Sequence, residues 1–265
     1  MNLLQKLTLR LQHAFRPAWH RGGAYWCPVC EHSVRRFCPL DERFAANWVN
    51  HGFDLLPERF ETLNFHAYSC PICSASDRDR LYALYLQQEA SRLPSRGKFV
   101  EFAPIGALSA KIRRTLPTWE HRTADLFMAG VDDRVDICDM RATYACKSVD
   151  FFLCSHVLEH VLDDRQAMRE LFRILKPGGC GILMVPIALD LTTSREGTPA
   201  MSESERWRHF GQDDHIRLHA RGDFLSRVME SAFHIEEWGC DKFGAALLKR
   251  HGIAATSVLY VVHKS

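Results

Sequence analysis

The chain of 265 residues has no apolar run approaching the roughly 20 residues that span a bilayer, so hydropathy offers no transmembrane helix. It also lacks a strong charge bias: 34 basic side chains face 32 acidic ones, for a net charge of +2. Overall charge therefore gives no argument for nucleic acid. A G-x-G-x-x-G turn is missing as well, which removes the usual pyrophosphate cradle of a dinucleotide enzyme. The first 30 residues contain no Asp or Glu. Lys6, Arg10, Arg16 and Arg21 there accompany Leu3, Leu4, Leu7, Leu11 and Phe15 at helix-like spacing. That pattern predicts a basic amphipathic segment over residues 1–24, for a membrane surface or a protein partner. An organelle transit peptide and an ordinary terminal helix packed on the body share the pattern. A secretory signal does not, because Lys6, Arg10 and His13 interrupt any apolar core.

What is present reads as an ordinary globular chain, 46% hydrophobic and 25% charged, long enough for one large domain with a small appendage. Its ten cysteines fall into two classes. Cys138, Cys146, Cys154, Cys180 and Cys240 are scattered, and Cys154 and Cys180 stand within apolar runs. Buried free cysteine packs like a small hydrophobe, so this half of the pattern fits a reducing, cytoplasmic compartment.

The other five cysteines precede residue 74. Cys27 and Cys30 in "CPVC", and Cys70 and Cys73 in "CPIC", are matched C-x-x-C pairs. A two-residue spacer lets both thiolates of a pair turn toward one ion, and two pairs complete a tetrahedral zinc site of structural type. Paired disulfides or a redox dithiol are the alternatives, and two matched copies favour metal. Cys38, His32 and His51 are spare ligands, leaving a site of three cysteines and one histidine open. A zinc-ribbon-like module with its following helix is expected over residues 25–92. The segment "SRLPSRG" links it to the remainder.

From Lys98, apolar strands alternate with helical segments, which predicts an α/β fold with a doubly wound, Rossmann-like, mostly parallel sheet over residues 98–265. Candidate strands are "KFVEFA", "HRTADL", "RVDIC", "VDFFLC" and "CGILMVP", with "HIEEWG" and "SVLYVV" late in the chain. Glu101 stands on the first strand and Asp125 ends the second, where a carboxylate can accept hydrogen bonds from ribose hydroxyls. The stretch Ala188–Arg221 exceeds a simple connection and predicts a substrate lid. Within it His215 follows Asp213 and Asp214, and an acidic neighbour raises imidazole basicity, making His215 the general-base candidate.

The run "VDFFLCSHVLEHVLDDRQAMRELFRILKPGGCGILMVPI" resembles the fourth-to-fifth-strand region of class I S-adenosylmethionine-dependent methyltransferases, especially their type 11 group. "EFAP", "TADLF" and "VDICDM" stand ahead of it in the order that resemblance requires. Some bacterial methyltransferase-domain proteins with a Cys-x-x-Cys module are similar, carrying "FAP" for the glycine-rich turn and a motif matched here by "FGQDDHIR". The resemblance implies S-adenosyl-L-methionine as cofactor. Glu101, Phe102, Ala103 and Pro104 would border its methionine end, and Asp125 would hold the ribose. Leu126 would pack on the adenine, Asp136 and Ile137 would meet the adenine edge, and Ser155 and His156 would close over the cofactor.

Methyl transfer to a small-molecule or glycan acceptor is the function expected. A zinc-ribbon RNA methyltransferase is an alternative, for which "VRRF", Trp19, His20, Arg21 and Trp26 offer a few basic and stacking groups. A degenerate methyltransferase used as an interaction module is another, suggested by the missing glycines.

Overall fold

The structure, a computed structural model, describes residues 20–265. The basic segment expected at residues 1–24 therefore lies outside the described residues as far as Trp19. Residues 21–24 belong to β1 (Arg21–Cys27), which pairs antiparallel with β2 (His32–Val34) around the first C-x-x-C turn. Between the cysteine pairs, "ERFAANWVNHGF" has a helix-forming pattern, and it folds as α1 (Glu42–His51). Asp41 caps its first turn, and Gly52 ends it in the left-handed conformation that glycine adopts without steric cost. After the second C-x-x-C, Ser76 and Asp79 form a capping box that starts α2 (Asp77–Glu89).

The main sheet begins with β3 (Lys98–Phe102), followed by α3 (Gly106–Thr115), β4 (Glu120–Asp125) and β5 (Asp133–Arg134). The chain then returns through β6 (Val149–Ser155), α4 (Asp164–Ile174) and β7 (Leu175–Met184). An insert follows, made of β8 (Arg195–Glu196), α5 (Glu203–Phe210) and β9 (Arg217–Leu218). The remainder is α6 (Arg221–Glu230), β10 (His234–Trp238), α7 (Cys240–Phe243), α8 (Ala245–Arg250) and β11 (Leu259–His263).

Seven strands pair in the order β10-β11-β7-β6-β3-β4-β5. β3 to β7 pair in parallel, and β11 runs antiparallel to both β7 and β10. This is the mostly parallel Rossmann-like sheet expected from the sequence. Two local readings differ. "RVDIC" contributes only Asp133 and Arg134 to a strand, because Asp136 turns the backbone back onto Asp139. "LKPGG" is part of β7, with the register shifted where its glycines lie.

The chain leaves β3 on one side for β4 and comes back on the other for β6. That reversal is the switch point of a doubly wound sheet, where ligands bind beyond the strand ends. Residues before β3 share the sheet's hydrophobic core: Cys27, Val29, Leu81, Tyr82 and Leu84 are buried in one cluster with Phe99, Phe151 and Leu171. Arg80 ties the parts together. Its side chain is fully buried and donates to five backbone carbonyls. Those of Ala67, Tyr68 and Ala75 are local, and those of His251 and Gly252 follow α8 (2.5–3.1 Å). Hydrogen bonds from a charged donor contribute about 1.5–3 kcal/mol each, where a buried guanidinium without them would be prohibitive.

Candidate functional site

The four cysteines of the paired motifs converge. Cys27 Sγ lies 3.7 Å from Cys73 Sγ, and Cys30 Sγ lies 3.8 Å from Cys70 Sγ. All four ligand atoms fall within 4.8 Å of one another, and all four residues are free thiols. The turns after β1 and before α2 bring the pairs together across the 40 residues that separate them. The spare candidates stand apart from this cluster. The Cys38 backbone pairs with Ser69, His32 Nδ1 meets the Cys30 carbonyl at 2.6 Å, and His51 stacks on Trp207.

Parallel register sets Phe102 beside Ala124 on one side and beside Cys154 on the other. Ala103, Asp125 and Ser155 therefore follow at one edge. Ala103 has φ of +50°, the left-handed conformation that costs a non-glycine residue roughly 1 kcal/mol, so the turn keeps a glycine-like path with alanine in it. Pro104 is half-buried beside it, and Phe102 is buried in the core. Glu101 is buried beneath, accepting hydrogen bonds from Ser109 Oγ (2.7 Å) and lying 2.9 Å from His121 Nε2. Asp125 Oδ1 accepts from the backbone N–H groups of Phe127 and Met128, both at 2.7 Å, which fixes the carboxylate at the rim. Leu126, Phe127 and Met128 are exposed, Ile137 is buried, and Asp136 accepts from the Cys138 N–H at 2.8 Å.

The β6–β7 side of the same edge is covered. Ser155 Oγ meets Tyr82 Oη of α2 at 2.7 Å. His156, at φ of +56°, has its Nε2 2.7 Å from Arg78 Nη1. Over these residues α1 and α5 cover a cavity bordered by Trp48, Phe60, Arg78, His156, Phe210 and His215. The cover is held by the Trp48 Nε1 bond to the Gly211 carbonyl (2.8 Å) and by the edge-on packing of Phe44 and Trp207. Ion pairs from Arg195 to Asp54 and from Arg59 to Asp190 add to it. Gly211 sits at φ of +77°, and a Cβ there would come within 3.0 Å of Phe53.

Glu159, His160 and His215 form a second cluster of ligand-type groups, their ligand atoms within 4.8 Å of one another. Arg217 brings its two halves together by donating to the carbonyls of Leu158, Val161 and Leu162, while the Ile216 N–H bonds the Glu159 carbonyl. His215 stands edge-on to His160 with ring centres 4.7 Å apart, and its Nε2 is 3.9 Å from Glu159 Oε1. Burial pushes His215 down to about 3 and His156 down to about 4, the latter helped by the Arg78 guanidinium. Burial alone would raise Glu159, but the adjacent His156 and His215 hold it below the usual carboxylate range.

Of the residues singled out from sequence, those on β3, β4 and β6 share one edge, and His156 and His215 share the cavity. Sequence reasoning missed Trp48, Phe60, Tyr68 and Arg78. A helix-forming patch between the cysteine pairs was the one signal that α1 had somewhere to dock.

The family model described as a methyltransferase domain matches residues 122–183, from β4 to β7 and less than half the chain. No curated protein matches in sequence. Among solved structures, an O-methyltransferase family protein from Burkholderia thailandensis is 16% identical, with TM-score 0.44, over 71% of this chain and 57% of that one. The methyltransferase domain of the citrinin polyketide synthase is 15% identical, with TM-score 0.49, over 75% of this chain and 55% of that one. A Haemonchus contortus phosphoethanolamine N-methyltransferase in complex with S-adenosyl-L-methionine is 16% identical, with TM-score 0.44, over 67% and 42%. The chain thus spans little more than half the length of the first of these. Residues 122–183 match the methyltransferase-domain model, and the sheet that carries them is Rossmann-like.

Proposed function

We propose that the chain transfers a methyl group from S-adenosyl-L-methionine to a small-molecule or glycan acceptor, in a reducing, cytoplasmic setting. The observation that carries this reading is the family match over β4 to β7, the strands that flank the switch point. The open edge suits the cofactor. Asp125 has one oxygen fixed by backbone N–H groups, and the other has no protein partner among the described residues. That free oxygen would accept from ribose hydroxyls, with Leu126 exposed alongside for the adenine and Asp136 and Ile137 at its far side. Ala103 and Pro104 would border the methionine end, with Glu101 and Phe102 supporting their turn from below. Ser155 and His156 would separate cofactor from acceptor.

The sulfonium supplies both the methyl group and its leaving group, so the protein's part is alignment and exclusion of water. The aromatic cover over His156 and His215 does both for an acceptor in the cavity. His215 is the acceptor-facing polar residue; as a base it would rely on Glu159 to balance its positive charge. The cysteine cluster suits structural zinc. Zn–S bonds of about 2.3 Å in a tetrahedron put sulfurs roughly 3.8 Å apart, which agrees with the 3.7 and 3.8 Å found. Four thiolates leave no open position, so this zinc would hold the fold.

Calorimetry with S-adenosyl-L-methionine, followed by transfer of a radiolabelled methyl group into small-molecule, glycan and RNA pools, tests the reading. A labelled small molecule or glycan is the expected product. Failure of the cofactor to bind would favour the interaction-module alternative, and labelled RNA would overturn the acceptor class.

A further inference from the structure

We infer that Glu159, His160 and His215 bind a divalent transition-metal cation at the wall of the acceptor cavity, separate from the four-cysteine site. The inference stands on the cluster's geometry and does not require the chain to transfer methyl groups. Three ligand atoms, two imidazole nitrogens and one carboxylate oxygen, lie within 4.8 Å of one another. Glu159 is 0% exposed, yet among the described residues neither of its carboxylate oxygens has a hydrogen-bond partner. His156 Nδ1 comes within 3.0 Å of Oε1 but lacks hydrogen-bond alignment. His215 is 2% exposed, and its Nδ1 is unpaired as well.

A buried carboxylate left without a hydrogen bond is costly, and a cation between it and two imidazoles would supply the missing contacts. Two imidazoles with one carboxylate are a borderline donor set, suited to zinc, iron or cobalt. Metal–ligand bonds of about 2.0–2.2 Å need the donors to draw together by roughly an ångström. His160 has the freedom to do so, since its side chain is 34% exposed and its contact to Asp214 is at the surface. Three protein ligands leave coordination positions open, and His215 borders the cavity, so an oxygen-bearing acceptor could reach them. The "SHVLEHV" stretch places Glu159 and His160 on a turn after β6, and Arg217 holds His215 against them from 56 residues away. In this arrangement His215 serves as a ligand, since a coordinated imidazole accepts no proton.

The test is titration with Co²⁺ of the purified chain carrying one zinc, the equivalent that fills the four-cysteine site. Expected is one further Co²⁺ per chain, with weak ligand-field absorption and none of the intense sulfur-to-cobalt absorption of a thiolate site. His160→Ala and His215→Ala should each weaken that binding by more than about 100-fold, beyond the roughly 10- to 100-fold that loss of an outer-shell partner costs. Circular dichroism confirms that each variant is folded, and the surface position of His160 makes it the variant least prone to unfold. Glu159→Gln, which keeps the side-chain size, should abolish the extra Co²⁺. No Co²⁺ beyond the cysteine site, or binding that survives either histidine substitution, would overturn the three-ligand site. Cofactor calorimetry on the same samples keeps that outcome distinct from failure of the methyltransferase reading.

Discussion

The two halves of the sheet's carboxyl edge are built differently. Beyond β3 and β4 the edge is open, and a few consecutive residues of one short turn, Asp125 to Met128, form its rim. Beyond β6 and β7 the edge is roofed by α1 from the cysteine-bearing region and by α5 from the insert. The open half is assembled from neighbours in sequence. The covered half needs residues 48, 78, 156 and 215 at once, so it exists only when both the amino-terminal region and the insert are in place. A cofactor common to many acceptors needs only the first kind of site, whereas a particular acceptor needs the second.

Breaking the cysteine cluster separates the halves most severely. Cys70→Ser should abolish zinc binding at the cluster and lower the unfolding free energy by about 2–5 kcal/mol, by analogy with loss of a native cross-link in a small domain. Metal analysis and thermal unfolding read this. Methyl transfer should disappear while S-adenosyl-L-methionine still binds within about tenfold, below the unfolding transition; a variant that keeps its metal and its activity would refute the dependence of the roof on the cluster.

His215→Asn acts on the covered half alone. Turnover should fall about 10²- to 10⁴-fold, and calorimetry should show cofactor affinity nearly unchanged. A matching loss of cofactor affinity would mean that the two halves are one site. Asp125→Ala addresses the open half. It should weaken cofactor binding roughly 10- to 150-fold, the loss of charge-assisted hydrogen bonds of about 1.5–3 kcal/mol. Equal affinity in the variant would move the ribose contact elsewhere.

The smallest effect concerns the floor of the covered half. Glu61 is buried, accepts a hydrogen bond from Tyr260 Oη at 2.8 Å and lies 3.3 Å from Arg221 Nε. Burial raises it to about 7 from an ordinary 4.5, a shift that Tyr260 and Arg221 only partly oppose and Glu237 reinforces. The folded state therefore prefers the protonated acid. Its contribution to stability is full below pH 4.5 and lost as pH rises through about 7. Glu61→Gln should remove that dependence and gain on the order of 1–3 kcal/mol at pH 8. Denaturant unfolding across this range checks it, and parallel wild-type and variant curves would show that Glu61 does not titrate in the window.

How far the sequence could be read follows from the same contrast. The cysteine pairs, the strand order and Asp125 announce themselves through local spacing, apolar runs and a strand end. The surroundings of Glu159 gave no such sign, because they come from the insert that folds back across 56 residues. Trp48 reads as part of an isolated helical patch and Phe60 as part of a loop between cysteines, since the surface they cover belongs to another element. "LKPGG" carried the marks of a turn, yet its residues pair along β7, where tertiary contacts outweigh the preference of Pro and Gly for loops. Ala103 shows the reverse: the sequence departs from glycine, and the backbone keeps a glycine-like path.

Arg80 bears on the order in which this protein can be finished on the ribosome. Three of the carbonyls it binds lie within 13 residues of it, but those of His251 and Gly252 lie 171 and 172 residues later. Translation runs at about 5–20 residues per second, so the buried guanidinium waits on the order of 10–30 seconds for its last two acceptors. Until then it must stay hydrated, and the region around the cysteines stays incomplete. Completion of the amino-terminal region is thereby tied to the arrival of the carboxyl-terminal one, which makes the covered half of the edge among the last parts of the nascent chain to close.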